Sequence, residues 1–200
     1  MKMKKAALIT GILGVVIIGS SITITQQNEY KLIRQFGKVD RVICEPGISF
    51  KIPLIERTQS LPKETLLYDL EASDVITKDK KTMISDSYVL WKITDPLKFA
   101  QTLNSSLENS ESRINTAVYN ATKNVISSLS QDRVITSRDG ELSDMVMEAI
   151  GDNMEQYGIE LIKFETKQLD LPDDNKAAVY ERMISERDNI AATYKAEGDS

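Results

Sequence analysis

Hydrophobic and polar positions follow three patterns along the chain. Residues 6–25 contain no charged side chain. From about residue 29 to 93, apolar residues alternate with polar ones, which predicts strands, and from about residue 95 they recur at helical spacing. One further alternating stretch, residues 158–171, interrupts the helical region. This order predicts an α+β fold in which helices pack on a small twisted antiparallel sheet, with a transmembrane helix before it and a long helix after it.

Turn residues divide the first alternating region into short strands. The stretch EYKLIRQFGKVDRVI (29–43) alternates around Gly37, which together with Lys38 predicts a hairpin turn. The polar stretch TKDKK (77–81) predicts a second hairpin connection, and TMISDSYVLWKI (82–93) predicts the long strand that follows it. Both faces of that strand contain large apolar residues, so we expect other elements to cover both faces.

Capping residues and helical spacing predict the helices. Asp95 and Pro96 are typical of an N-cap and a first helical position. Apolar residues recur at helical spacing over 107–129 and again over 139–157, where Gly158 predicts the helix end. We expect the methionines of the second helix to fill the core, and a peptide-binding surface is the alternative.

A long helix is predicted over residues 171–200. Its proline and its early acidic residues suit a helix N-terminus. Its apolar positions form a narrow seam, which is too small to keep a lone helix ordered in water. We therefore expect a partner helix, from this chain or another subunit, to cover the seam and make the segment an assembly element. The seam consists of Val179, Met183, Ile190 and Tyr194.

The uncharged segment 6–25 has the composition of a membrane anchor. A helix needs roughly 20 apolar residues to cross a bilayer, and the segment just reaches that length. A cleaved signal peptide is one alternative, but its apolar region is usually about 7–15 residues and ends at a small-residue cleavage site, which the sequence lacks. A buried helix of a soluble protein is another.

The lysines around this segment predict the topology. Lys2, Lys4 and Lys5 precede it, and no lysine lies near its exit. Residues 1–5 are therefore expected to form a cytoplasmic tip of a single-pass protein of the cell membrane. Residues 26–200 are expected on the exterior face, which is periplasmic or extracytoplasmic.

The predicted exterior part is acidic. Of the 25 Lys and Arg residues three precede the anchor, which leaves 22 against 30 Asp and Glu, a net charge of −8. A broad basic patch for nucleic acid or anionic lipid is therefore not expected, and no nucleic-acid partner is predicted. The composition, with 41% hydrophobic and 28% charged residues, is that of a globular protein with a core.

The chain contains no histidine. This excludes histidine-activated nucleophiles, HExxH metal sites and histidine proton shuttles. A serine–lysine hydrolase is the enzymatic alternative, but no serine and lysine form a recognisable constellation. The acidic pair Asp173 and Asp174 lacks the spacing of a calcium loop. We therefore expect no enzyme, no catalytic residue, no metal ligand and no cofactor, and the single Cys44 allows no intrachain disulfide.

The stretch EPGISFKIPLIE (45–56) contains a proline where the alternating pattern predicts a strand. If the segment is extended, its large apolar residues point to one side, but Pro53 cannot donate to a sheet ladder, which predicts an edge strand or a strand end. Two interpretations follow: the domain's own helices cover the apolar side, or the segment lies in the interface of the outer leaflet. In the second, the candidate membrane-interface residues are Phe50, Ile52 and Leu54.

Six stretches resemble one protein family. They are EYKLIRQFGKV, PGISFKIPLIE, DVITKDKKTMISDSYVLWKITDPLKF, ESRINTAVYNATKNVI, YGIELIKFETKQLDLP and ERMISERDNIAATYKAEG. In this order they resemble the stomatin, prohibitin, flotillin and HflK/C family, also called band 7 or SPFH, over nearly all of residues 6–198. The resemblance is strongest to the protease-modulator branch, HflC. It implies an SPFH domain over residues 26–170 and the start of a long assembly helix over residues 171–200.

The resemblance implies a non-enzymatic scaffold on a membrane. Members of this family assemble into rings or cages, as homo- or hetero-oligomers in contact with membrane lipid. The HflC branch pairs with an HflK-like paralogue and restrains an FtsH-like, ATP-dependent membrane protease. HflC-like chains also continue in helix beyond the tail motif at which this sequence stops. A stomatin-like organiser of membrane domains or channels is the alternative, and such relatives usually attach to the cytoplasmic face.

Overall fold

A computed structural model describes residues 19–137, 140–170, 184, 185 and 187. These residues form two compact units. The first unit contains the described chain up to Tyr68, together with Val89–Val118 and Ile150–Lys163, and the second contains the remaining described residues. In the described part of the chain, a run of strands is followed by a run of helices and then by one long strand. This segregation of strands and helices is that of an α+β fold, which confirms the predicted fold class.

The first unit contains two antiparallel sheets in place of the single small sheet that the sequence predicted. One is a two-stranded ribbon of β1 (Ile22–Thr25) and β4 (Gly47–Phe50). The other has the strand order β3-β2-β5, with β2 (Glu29–Gln35) between β3 (Lys38–Ile43) and β5 (Glu56–Pro62). The core of the unit includes the fully buried side chains of Leu32, Ile33, Trp91, Phe99, Ile114 and Ile159.

The hairpin between β2 and β3 turns one residue earlier than predicted. Its two turn residues are Phe36 and Gly37, with φ angles of 49° and 84°, while Lys38 already pairs with Gln35. Two consecutive positive φ angles match the right-handed twist of the strands. Glycine takes this conformation freely, but Phe36 does so at a cost in backbone strain.

Helix α1 (Pro96–Leu103) begins where its capping residues predict. One carboxylate oxygen of Asp95 accepts hydrogen bonds from the backbone N–H groups of Leu97 and Lys98, at 3.0 and 2.9 Å. Proline occupies the first helical position, where its missing N–H is not needed. Helix α2 (Leu107–Ser128) also covers nearly the residues predicted for it.

The predicted helix 139–157 is wrong in its second half. Helix α4 (Glu141–Ile150) ends at Ile150, and the φ angle of the next residue, Gly151, is 52°. That left-handed conformation does not continue an α-helix, so Gly151–Tyr157 form a 3-10 segment instead. A short helix α3 (Gln131–Thr136), which the sequence did not predict, precedes α4.

Gly158, which was predicted to end the helix, ends the 3-10 segment and has a φ angle of 71°. Its carbonyl oxygen accepts hydrogen bonds from the backbone N–H groups of Thr94 and Asp95, at 3.0 and 3.2 Å. A Cβ atom at this position would lie 2.2 Å from the Asp95 carbonyl oxygen. The backbone approach and the positive φ therefore both require glycine.

The longest strands belong to a third sheet with the order β6-β8-β7, in which β9 also pairs with β8. Strand β8 (Thr82–Ile93) covers the predicted residues, and its side chains alternate between buried and half-buried positions. Strand β9 (Ile159–Asp170) confirms the second alternating stretch. The shorter strands are β6 (Leu66–Asp69) and β7 (Ser73–Ile76).

The polar connection between β7 and β8 forms the predicted hairpin and contacts the end of α2 in the second unit. The Lys78 N–H donates to the Leu129 carbonyl at 2.8 Å. One carboxylate oxygen of Asp79 accepts hydrogen bonds from the Thr77 hydroxyl at 2.6 Å and the Gln131 N–H at 3.1 Å. These hydrogen bonds hold the pKa of Asp79 below its usual range, and the bond from the Thr77 hydroxyl has the largest effect.

The two chain ends lie largely outside the described residues. Most of the predicted anchor lies there, and its last four residues, Ile22–Thr25, form β1 rather than helix. Within the described part of the chain, no helix combines the length and the apolar composition that crossing a bilayer requires. Of the predicted terminal helix, Ile184, Ser185 and Arg187 are described and are helical, and the four seam residues lie outside the described residues.

Candidate functional site

The ribbon of β1 and β4 exposes large apolar side chains on one face. Ile22 pairs directly with Phe50, and Ile24 pairs with Ile48. Residues in such pairs share one side of the sheet, so the four side chains form one surface, which we call the ribbon face. Their exposed fractions are 46% for Ile22, 63% for Ile24, and 69% for both Ile48 and Phe50. Exposed apolar patches of this kind mark surfaces that contact a protein or a membrane.

The opposite face of the ribbon is polar, and its β1 side chains are buried, whereas Ser49 of β4 is half-buried and Gly47 is exposed. Thr23 and Thr25 are 9% and 2% exposed, and no residue that the structure describes forms a hydrogen bond with the Thr25 hydroxyl. A solvated antiparallel sheet normally turns its apolar face inward and its polar face toward water. The ribbon has the reverse arrangement, which is stable only if something other than water covers the ribbon face or if its surroundings hold it in place.

Two cationic side chains of the three-stranded sheet hold the ribbon. The Lys31 ammonium donates to the Ile24 carbonyl at 2.8 Å, and the Arg41 guanidinium donates to the Phe50 carbonyl. Lys31 also forms an ion pair of 2.8 Å with Glu29. The hydrogen bond from Lys31 is the largest of the causes that lower the pKa of Glu29 to about 2. Glu29 is therefore ionised near neutral pH and keeps Lys31 in position beside the ribbon.

The loop after β4 continues the apolar surface. Ile52 is 52% exposed and Leu54, with a φ angle of 74°, is fully exposed. Glu56 is buried, and its carboxylate accepts the Ile52 N–H at 2.8 Å and lies 3.4 Å from the Arg41 guanidinium. The loop is thus held by a buried carboxylate, although its apolar side chains face outward.

The structure also accounts for the proline in this segment. Strand β4 ends at Phe50, and Pro53 lies in the turn that follows. No ladder there requires the N–H donor that proline lacks. Phe50, Ile52 and Leu54 are all exposed, so the interpretation that the domain's own helices cover them is wrong for the described part of the chain. Contact of these residues with a membrane stays a prediction.

The charge balance differs between the two parts of the chain. Residues 26–68, which include β4 and the loop, contain seven Lys or Arg and five Asp or Glu, a net charge of +2. Residues 69–200 contain 15 and 25, a net charge of −10. The acidic total therefore does not describe the surroundings of the ribbon face, where Lys38, Arg41 and Arg57 are exposed.

Sequence reasoning missed the β1 half of the ribbon face. Ile22 and Ile24 were assigned to the apolar anchor because they follow it without a charge. The strict alternation Ile-Thr-Ile-Thr after Gly19 and two serines is typical of a strand and was the available sign. Hydrophobicity alone did not separate it from the preceding segment.

Comparisons with known proteins support the earlier resemblance. A family model described as "SPFH domain / Band 7 family" matches residues 23–200. Protein HflC of Haemophilus influenzae is 30% identical over 91% of this chain. A protein of Escherichia coli K12 named "Modulator of FtsH protease HflC" is 24% identical over 98% of this chain. An uncharacterised protein of Methanocaldococcus jannaschii is 29% identical over 96% of it.

The relatives differ in how much of their length this chain matches. The chain spans 65% of the Haemophilus influenzae protein and 72% of the Escherichia coli protein. It spans 94% of the Methanocaldococcus jannaschii protein. The region that the family model matches, residues 23–200, includes the loop and the strands and helices described above, except Ile22, the first residue of β1.

Proposed function

Because the chain belongs to the SPFH domain / Band 7 family, we propose that it is a membrane-anchored scaffold of the HflC type. In this proposal its ribbon face lies against the bilayer, and its terminal helix assembles with an HflK-like partner into a ring or cage. The assembly modulates a membrane-bound, ATP-dependent protease of the FtsH type by limiting access to it. The name of the Escherichia coli relative supports the protease partner.

The exposed ribbon face next to the N-terminal apolar segment is the observation that carries the membrane part of the proposal. Residues 19 and 20 are helical and β1 begins at Ile22. A residue of extended chain spans at most about 3.6 Å, so Ile22 lies within about 10 Å of the helical residue 20. An anchor that ends there would leave the ribbon at the membrane surface.

The length of that anchor also favours contact between the ribbon and lipid. If its helix runs from residue 6 to residue 20, it is about 22 Å long at 1.5 Å per residue, which is shorter than a hydrocarbon core of about 30 Å. Such a mismatch draws the flanking residues toward the bilayer. The apolar residues directly after the segment, Ile22 and Ile24, suit that environment.

Affinity isolation tests the protease part of the proposal. The full chain, extracted in mild detergent from cells that contain an FtsH-like protease and an HflK-like protein, should bring both with it, as identified by mass spectrometry. Isolation of the chain with neither protein would reject the HflC-type function. Isolation with channel or membrane-domain proteins instead would favour the stomatin-like alternative.

A pair of charged substitutions tests the assembly helix. Met183→Asp together with Ile190→Asp should reduce the size of the assembly on native gels, since carboxylates disrupt an apolar seam between helices. Ile135→Asp is the control, because Ile135 is an apolar residue of α3 that is 52% exposed. An assembly of unchanged size in the double variant would place the subunit contacts elsewhere in the chain.

A further inference from the structure

A cavity of about 350 Å³ lies beside the loop in the first unit. It forms where the tip of the β2–β3 hairpin meets the loop after β4. Its lining includes two arginines and three large apolar residues and no acidic residue; the lining residues are Arg34, Phe36, Gly37, Leu54, Ile55 and Arg57. A cavity with this lining combines a cationic interior with an apolar rim.

The two arginines lie directly opposite each other on neighbouring strands. Arg34 of β2 pairs with Arg57 of β5 in the antiparallel register. Like charges at such positions destabilise a sheet unless an anion lies between them. One end of the Arg34 guanidinium donates to the Ser105 hydroxyl at 2.7 Å, but its Nε is buried and has no hydrogen-bond partner among the described residues. The Arg57 side chain is exposed and has no hydrogen bond or ion pair with any residue that the structure describes.

The rim of the cavity is apolar and exposed. Phe36 is 86% exposed, Leu54 is fully exposed and Ile55 is 42% exposed. Phe36 and Leu54 both have positive φ angles, of 49° and 74°, which non-glycine residues adopt at a cost. Strained backbone holds these apolar side chains around two arginines that form no ion pair within the described part of the chain. This arrangement favours a ligand with an anionic part and an apolar part.

We propose that this cavity binds the phosphate of an anionic phospholipid headgroup. The guanidinium groups of Arg34 and Arg57 bind the phosphate oxygens, while Phe36, Leu54 and Ile55 contact the acyl region above it. Guanidinium forks match phosphate geometry and form charge-assisted hydrogen bonds with it. Lys38, which lines the adjoining cavity with Arg34, adds a third positive charge nearby. The inference rests on the membrane contact of the proposed function and names the lipid that this surface selects.

Lipid binding by the full chain in neutral detergent tests the inference. The probe is a short-chain phosphatidylglycerol, compared with the phosphatidylcholine of the same chain length, and the readout is the apparent Kd from native mass spectrometry. The wild type should prefer phosphatidylglycerol, and Arg57→Gln should weaken its binding about tenfold or more, the effect of losing a charge-assisted hydrogen bond. Arg57→Lys keeps the positive charge but not the guanidinium fork, so its apparent Kd for phosphatidylglycerol should lie between those of the wild type and Arg57→Gln.

Two controls separate the site from charge and from folding. Lys123→Gln removes one positive charge from an exposed position of α2 and should bind like the wild type. Without lipid, Arg57→Gln should melt at the same temperature as the wild type or higher, because it relieves the repulsion with Arg34. A large loss of melting temperature in Arg57→Gln would overturn the inference, since it would make the arginine a structural residue.

Other outcomes also decide the question. Equal phosphatidylglycerol binding by the wild type and Arg57→Gln would overturn the inference. Inorganic phosphate that displaces the lipid at equal concentration would identify a free-phosphate site and overturn the lipid assignment. The two proposals can fail separately. If the protease is not co-isolated but the lipid selectivity is intact, only the protease proposal is rejected. If the protease is co-isolated but the lipid selectivity is absent, only the lipid inference is rejected.

Discussion

Replacing the Ile24–Ile48 pair of the ribbon face by serine should separate membrane contact from folding. Ile24 and Ile48 lie directly opposite each other and are 63% and 69% exposed in the folded protein. Water already covers most of both side chains, so folding gains little from them. If a membrane covers the ribbon face, burial of these exposed side chains stabilises membrane binding rather than folding.

The expected magnitudes follow from these exposures. Full burial of an isoleucine side chain contributes about 1.5–3 kcal/mol, so the exposed two-thirds of each contributes roughly 1–2 kcal/mol to membrane binding. The double variant Ile24→Ser/Ile48→Ser loses both contributions, so its free energy of membrane binding should weaken by roughly 2–4 kcal/mol. This corresponds to a drop in membrane affinity of about 30-fold to several hundred-fold. Loss of their cross-strand contact should cost at most about 1 kcal/mol of folding stability.

Vesicle partitioning of a fragment of residues 19–200 measures the effect. The fragment begins before β1, because removal of residues 1–25 would delete that strand. Leu67→Ser is the matched control, since Leu67 is 60% exposed in β6 and does not belong to the ribbon face. Circular dichroism melting of each variant reports folding. Equal partitioning of the double variant and the control, or a large loss of melting temperature without a change in partitioning, would refute the reasoning.

Three further predictions concern topology, backbone and charge. With Cys44 replaced by serine, a cysteine at Asn104 should react with a membrane-impermeant reagent on intact cells, and protection would place the domain on the cytoplasmic face. Gly158→Ala should lower the free energy of unfolding by about 2 kcal/mol or more, because its Cβ meets a backbone carbonyl and its φ is positive; an unchanged urea midpoint would contradict this. The lowered pKa of Glu29, about 2, stabilises the fold above its unfolded pKa, so this stability should fall between about pH 4.5 and 2 and should be absent in Glu29→Gln. Replacing Lys31 by Met should weaken the same pH dependence, as measured by melting temperature against pH.

Elements whose cause is local were predictable from the sequence. Strand β8 alternates over its whole length, and helix α2 keeps helical spacing for its 22 residues, so periodicity alone located both. Asp95 and Pro96 located the start of α1 because capping depends on neighbouring backbone N–H groups. Gly151 was missed because glycine in a helical pattern ends a helix only when its φ becomes positive, which the sequence does not specify.

The candidate site depended on contacts between distant segments. The sequence by itself determined which residues are apolar, and it predicted one shared side for Phe50, Ile52 and Leu54 only if the chain is extended, whereas β4 ends at Phe50 and a turn follows. Only the tertiary structure decided that β1 pairs with β4, which turns Ile22 and Ile24 outward and buries Thr23 and Thr25. It also decided that Arg34 and Arg57 face each other across two strands. The physical reason is that strand register sets which side chains share a face, and register is a property of pairing between segments rather than of either segment alone.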